Sequence, residues 1–170
     1  MKGQDVLVLL KLVVLGGREF RVHPLAKELG ISASELSSSI RRSISAGLID
    51  PVDRGCIRPA LVEFMLHGFR YVFPVKPGAI TRGMPTAHSA PPLKEEILSK
   101  VDFVWPLPRG PVRGQAIKPI YQSVPVAAEN DPILYRLLAL ADALRVGSTR
   151  ERNMASEMLK EMTLREIPWT

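Results

Sequence analysis

Cys56 is the single cysteine in 170 residues, which excludes an internal disulfide and leaves no cysteine pair to hold a metal. The three histidines, His23, His67 and His88, are scattered, and His67 has no second histidine or cysteine three or four residues away on its helix. No nucleophile stands at a recognisable spacing from a base. The adjacent carboxylates Glu95 and Glu96 read as surface, so the pattern argues against an enzyme and implies no cofactor or metal. The glycines of 110–114 have the wrong spacing for a phosphate loop and no following Lys-Ser or Lys-Thr. Long apolar runs are missing as well. Val6 to Leu15 is apolar but about ten residues long and interrupted by Lys11, too short to cross a bilayer. It leads through Gly16-Gly17-Arg18-Glu19 without a small-residue cleavage site, so it reads as a domain's first helix rather than a signal peptide. A cytoplasmic setting without a membrane partner is the expectation.

What is present is enough for a folded core. Apolar residues make up 46% of the chain, and the formal charge is +6. Residues 1–60 carry nine basic and six acidic groups, 61–130 eight and five, and 131–170 six and six. A modest positive balance agrees with a polyanionic partner without requiring one.

The densest signal is Val22 to Ile49. Leu25, Ala26 and Leu29 share one face of a short helix, Gly30 breaks it, and Ile31 packs under the turn. Ser32 and Glu35 then form a Ser-x-x-Glu capping box, in which each side chain takes the other residue's backbone N–H. Leu36, Ile40 and Ile44 recur at four-residue spacing and face the first helix. Ser34, Ser38, Arg41, Arg42 and Ser45 fall outside. This order of signals is that of a helix-turn-helix. Its outer face, short, polar and positive, suits the DNA major groove, because serines permit close approach and arginine can bond a guanine edge or a phosphate. The competing reading is a plain helical hairpin.

Downstream, Leu48 to Arg58 contains two short extended pieces around an Asp-Arg-Gly turn, and Glu19 to Val22 reads as a small strand. With the preceding helix Gln4–Leu15, residues 3–60 resemble the winged helix-turn-helix regulators of bacteria and archaea, the broad group that includes the MarR and IclR types. The resemblance implies a β-wing lying over the DNA backbone with Arg54 at its tip and Arg58 reaching phosphate from the returning strand. Cys56 beside these arginines raises a redox-sensor reading, against which stands the ordinary buried cysteine of a strand.

Pro59 to Phe69 has the spacing of a fourth helix. Eleven of the fifteen prolines then lie between Pro74 and Pro132, interleaved with aromatic and β-branched residues, which predicts an ordered but irregular layer with one short helix from Pro91 to Lys100, its Leu93, Ile97 and Leu98 inward. Acidic residues are absent from Phe64 to Lys94. Lys76, Arg82 and His88 are the candidates for an anion site there, with Gly78 and Gly83 letting backbone N–H groups converge. Its ligand would be a small acidic effector, DNA phosphate or an acidic protein patch; a proline-stiffened strap is the alternative.

Asp131 caps a helix that begins at Pro132, and Ser148 with Glu151 repeats the capping box before a closing helix. The apolar faces of this hairpin exceed what a small winged domain can hide, which predicts a homodimer interface that can include the first helix; capping of the monomer alone is the alternative.

The expected fold is therefore mainly α with a small β-wing. It comprises a winged helix-turn-helix domain over 1–69, a proline-rich layer over 70–130 and a C-terminal helical hairpin over 131–170. The expected function is a prokaryotic, sequence-specific regulator of transcription binding double-stranded DNA. Ser34, Ser38, Arg41 and Arg42 would enter the groove from the helix 33–46, with Ser37 and Ser45 as phosphate donors at its edge and Arg54 and Arg58 on the backbone. The second expectation is a protein-binding module, antitoxin-like, that engages a partner through the winged fold and the proline-rich layer.

Overall fold

The computed structural model describes residues 1–165. The last five residues of the segment assigned to the C-terminal hairpin lie outside the described residues. Helix α1, Gly3–Leu15, is buried from Gln4 to Val14, so apolar neighbours must cover it on every side. It stops at Gly16, whose left-handed backbone (φ 61°) suits glycine. No strand forms over Glu19 to Val22. Val22 already belongs to α2, Val22–Leu29, because the first turn of that helix absorbs Pro24 without losing a bond. Gly30 (φ 66°) ends α2, and the Ile31 N–H reaches back to the Ala26 carbonyl at 3.0 Å. Ser32 and Glu35 then start α3, Ala33–Ser45, with the predicted capping box.

The wing is smaller than the resemblance implies. Ile49 and Cys56 form one isolated antiparallel bridge, and no strand continues from it. The turn between them is held by its own aspartates. Asp50 accepts the Val52 N–H at 2.7 Å and Asp53 accepts that of Gly55 at 2.7 Å. Helices α4, Arg58–His67, and α5, Phe69–Val72, follow, with Phe69 fully buried and its ring edge-on to Phe64.

Three strands lie in the layer that the prolines predict to be irregular: β1 Ile80–Pro85, β2 Phe103–Pro106 and β3 Val112–Ala116. Each pairs with the other two, β1 antiparallel to both and β2 parallel to β3, so the sheet closes on itself. Gly83 and Gly110 make the closure fit, since a Cβ on either would strike backbone of the neighbouring segment. The short helix expected from Pro91 to Lys100 is a single 3-10 turn at Leu93–Glu95. Leu93 is buried as expected, but Leu98 is fully exposed.

Helix α6, Val124–Asn130, has no counterpart among the expected elements. Helices α7, Pro132–Val146, and α8, Thr149–Leu164, do. Asp131 caps α7 by accepting the N–H groups of Ile133 and Leu134. Helix α7 is buried on nearly every face from Leu137 to Leu144, because it packs against α1, α4, α5, α6, α8 and the 3-10 turn at Ala87–Ser89. That removes the basis for the predicted dimer. The apolar surplus is consumed inside one chain, and a single apolar cluster runs from Val6 through Trp105 to Leu159.

Lys11 marks the seam between the first and last parts of the chain. Although buried, it pairs with Asp131 at 2.7 Å and Glu28 at 2.9 Å. Burial alone would lower its pKa, but the bonds from Asp131 and Glu28 outweigh this and raise it. The chain is thus mixed α/β, mostly helical, with one small sheet. No described helix is long and apolar enough to cross a membrane.

Candidate nucleic-acid interface

The polar face of α3 is where the sequence places the function, and its geometry is set from behind. Asp5 on α1 is completely buried. Its carboxylate accepts the Ser39 hydroxyl at 2.7 Å and the Arg42 guanidinium through Nη2 at 2.7 Å and Nε at 3.1 Å. The backbone N–H of Lys2 completes the set at 2.7 Å. Burial pushes this carboxyl up, yet the bonds from Arg42, Lys2 and Ser39 together hold it below the usual aspartate range. Arg42 also bonds the Gln4 amide oxygen at 3.0 Å.

Arg42 is expected from the sequence to enter the groove. The structure instead commits its fork to Asp5, with its side chain 30% exposed. It orients α3 against α1 rather than facing outward. The reason is its position at the border of the apolar stripe, where Asp5 can reach it.

The N-terminal end of α3 is fixed in a similar way. Glu35 accepts the Ser32 N–H at 2.7 Å, the Tyr121 hydroxyl at 2.9 Å and the Gln4 amide at 3.3 Å. These bonds, the Ser32 backbone first, lower its pKa. Tyr121 comes from the segment before α6, whose Ile120 backbone lies against Gly3. An open polar hollow of about 490 Å³ lies here, lined in part by Lys2, Ser34, Ser38 and Tyr121. On the other side of the turn, Ser123 and Val126 come close enough to Gly30 that a Cβ there would meet their side chains at 3.1 and 3.6 Å, and the Asn130 amide bonds the Glu28 carbonyl at 3.1 Å. The proline-rich half of the chain therefore braces both ends of the α2–α3 turn.

On the outer face, Ser34, Arg41 and Ser45 extend the polar surface, with Arg41 exposed and Ser37 and Ser38 half-buried. Ser34, Ser38, Arg41 and Ser45 follow one another at helical spacing, so they form one stripe. Arg41 makes a single bond, Nη2 to Ser38 Oγ at 3.0 Å, which leaves most of its fork available.

Arg54 is exposed, has a left-handed backbone (φ 60°) and lays its guanidinium over Phe20 at 5.2 Å. Val52, two residues before it, is an apolar residue of the turn left 90% exposed. Arg58 opens α4 and donates to the Arg165 carbonyl at 3.1 Å, so it ties α8 to α4. Burial, offset in part by Arg58, pushes the Cys56 thiol up to about 12, which disfavours the reactive thiolate that a redox sensor needs.

The anion site expected at Lys76, Arg82 and His88 does not form as a unit. His88 is buried, with Nε2 2.8 Å from the Val101 carbonyl and its ring against Phe103. Its second nitrogen lies 3.9 Å from Glu151. Gly78 gives its N–H to the Ala116 carbonyl at 2.8 Å, and Gly83 sits in the β1 ladder. No nest of free N–H groups converges there. Lys76 and Arg82 remain exposed. Among the described residues no cluster of His, Cys, Asp or Glu is placed to hold a metal.

Asp5, Gln4, Ser39 and Tyr121 are the site residues that sequence reasoning misses. An acid and an amide at the start of an otherwise apolar helix are the available signal for the first two. Tyr121 carries none. Compared with family models, with curated proteins and with solved structures, the chain finds no match.

Proposed function

We propose that this protein is a sequence-specific DNA-binding regulator of transcription that presents α3 to the major groove. The observation that supports this most is the free stripe Ser34–Ser38–Arg41–Ser45 on a helix whose opposite side is locked by Asp5, Ser39 and Arg42. A reading helix gains specificity from being held rigidly, since a loose one spends binding free energy on ordering itself. Arg41 is the base-reading group, able to bond a guanine edge with two donors, while Ser34 and Ser38 make close polar contacts and Ser37 and Ser45 meet phosphate. Arg54, released from Phe20, reaches the backbone.

The test is selection of bound sequences from random duplex DNA with the purified chain at fixed salt, followed by Arg41→Ala on the selected site. We expect a defined sequence preference that Arg41→Ala weakens by about tenfold to a hundredfold. Undiminished affinity for the selected site in that variant would overturn the assignment. Arg42→Ala is no substitute, because it also removes bonds that hold α3 on Asp5. Paired half-sites about one helical turn apart in the selected DNA would identify two copies acting together.

A further inference from the structure

The sheet carries a charge arrangement that its own stability does not explain. In the β1–β3 ladder, Arg82 stands directly opposite Arg113, flanked by the pair Ile80 and Gln115. Alternation along the strands puts these four side chains on one face, while Gly83 and Gly114 turn inward. Arg82, Arg113 and Ile80 are exposed. Like charges in direct register across a sheet repel.

Neither arginine has an ion-pair partner among the described residues. All three strands fall within residues 64–94 and 103–128, and these two stretches contain seven basic residues and no acidic one. Asp102 lies beside Gly114 through both its backbone and its Cβ, yet its carboxylate pairs with neither arginine. Arg82 Nη1 donates to the Gly110 carbonyl at 3.3 Å, which brings the exposed Arg109 to the same corner. The bond from Gly78 to Ala116 places the loop that carries Lys76 at the end of β3.

We propose that this outer face of the barrel binds the phosphate backbone of a polynucleotide without reading its sequence, with Arg82 and Arg113 as the central pair. A polymer fits better than a single phosphate ion. The face is open rather than concave, and the backbone N–H groups that would enclose one anion are committed to the ladder. Exposed guanidinium forks on an open sheet face instead match a chain of repeating phosphates, each fork able to take two oxygens. Ile80 and Gln115 beside them can meet sugars. This binding does not depend on α3, so the two readings fail separately.

The experiment is titration of the full chain with a random-sequence DNA duplex over a range of salt. Wild-type protein binds, and log affinity falls linearly with log salt. In the double variant Arg82→Gln, Arg113→Gln the slope drops by about two, one for each phosphate no longer neutralised, and the pair Arg82→Lys, Arg113→Lys restores it. The glutamine pair melts close to wild type, since relief of repulsion offsets loss of the Arg82 bond to Gly110. If that pair fails to fold, Arg113→Glu, which gives Arg82 a cross-strand partner, produces the same loss. An unchanged slope in these charge-removing variants overturns the proposal, as does absence of wild-type binding to the random duplex. Displacement of the duplex by inorganic phosphate at matched ionic strength also overturns it, in favour of a small anion. If Arg41→Ala leaves all binding intact while the glutamine pair reduces it, the reading of α3 falls and the barrel's stands.

Discussion

Two buried aspartates hold two parts of this molecule, and they do it under opposite electrostatic conditions. Asp5 joins α1 to α3 through Arg42 and Ser39. Asp142 joins α7 to the sheet. It accepts the Trp105 indole N–H at 2.6 Å, the Thr86 hydroxyl at 2.7 Å and Arg145 Nη1 at 2.9 Å. Each has an arginine and a hydroxyl, yet Asp5 lies below the usual carboxylate range and Asp142 above it. In both, burial pushes upward most strongly. The difference is enclosure. Arg42 is 30% exposed and stays partly hydrated, whereas Arg145 and Asp142 are 4% and 3% exposed, so the interior ion pair bears a larger desolvation cost. The same residue types thus make a rigid but surface-linked joint behind α3 and a sealed one in the core.

The largest effect should come from the sealed joint. Asp142→Ala leaves Arg145 buried without its carboxylate and is expected to cost about 3–5 kcal/mol in urea unfolding. Arg42→Ala should cost less, about 2 kcal/mol, because Asp5 keeps Ser39 and the Lys2 N–H and water can enter where the guanidinium was. If Arg42→Ala proves the costlier of the two, the contrast in enclosure is wrong.

The pH dependence sharpens the comparison. The contribution from Asp5 is complete above the unfolded value of 3.8 and is lost as pH falls through its lower folded value. Asp142 acts with the opposite sign, since its raised folded value makes stability fall as pH climbs upward from 3.8. Melting temperature followed against pH should therefore show a shallower acid limb in Asp5→Asn and a steeper one in Asp142→Asn. Smallest of all is Arg41→Ala. It touches neither joint and should alter stability by no more than about 0.5 kcal/mol, even though it removes the proposed base contact.

What can be read from the sequence is whatever is encoded locally. The capping boxes at Ser32 and Ser148, the Gly30 turn and the Asp131–Pro132 helix start all form as expected, because each depends on residues within one turn. Arg42 is misplaced because helical periodicity assigns faces from α3 alone, and its partner Asp5 is thirty-seven positions away. The strands escape notice for a different reason. Proline density argues against regular structure, but Pro85 and Pro106 stand at the last positions of β1 and β2, where proline interrupts little of a ladder. The basis for the expected dimer falls on a question of supply. A small domain alone cannot hide the apolar faces of α1 and the C-terminal helices, but α1 and α7 cover each other across the length of the chain.

That cover sets an order for biosynthesis. Residues 1–60 leave the ribosome before the rest of this chain, with α1 apolar on nearly all sides and its Lys11 still lacking Asp131. Until α7 emerges and docks, the proposed reading helix rests on a support with no other side. If α3 reads DNA as we propose, newly made chains should gain that binding only after α7 has docked, and stalled ones should be substrates for chaperones.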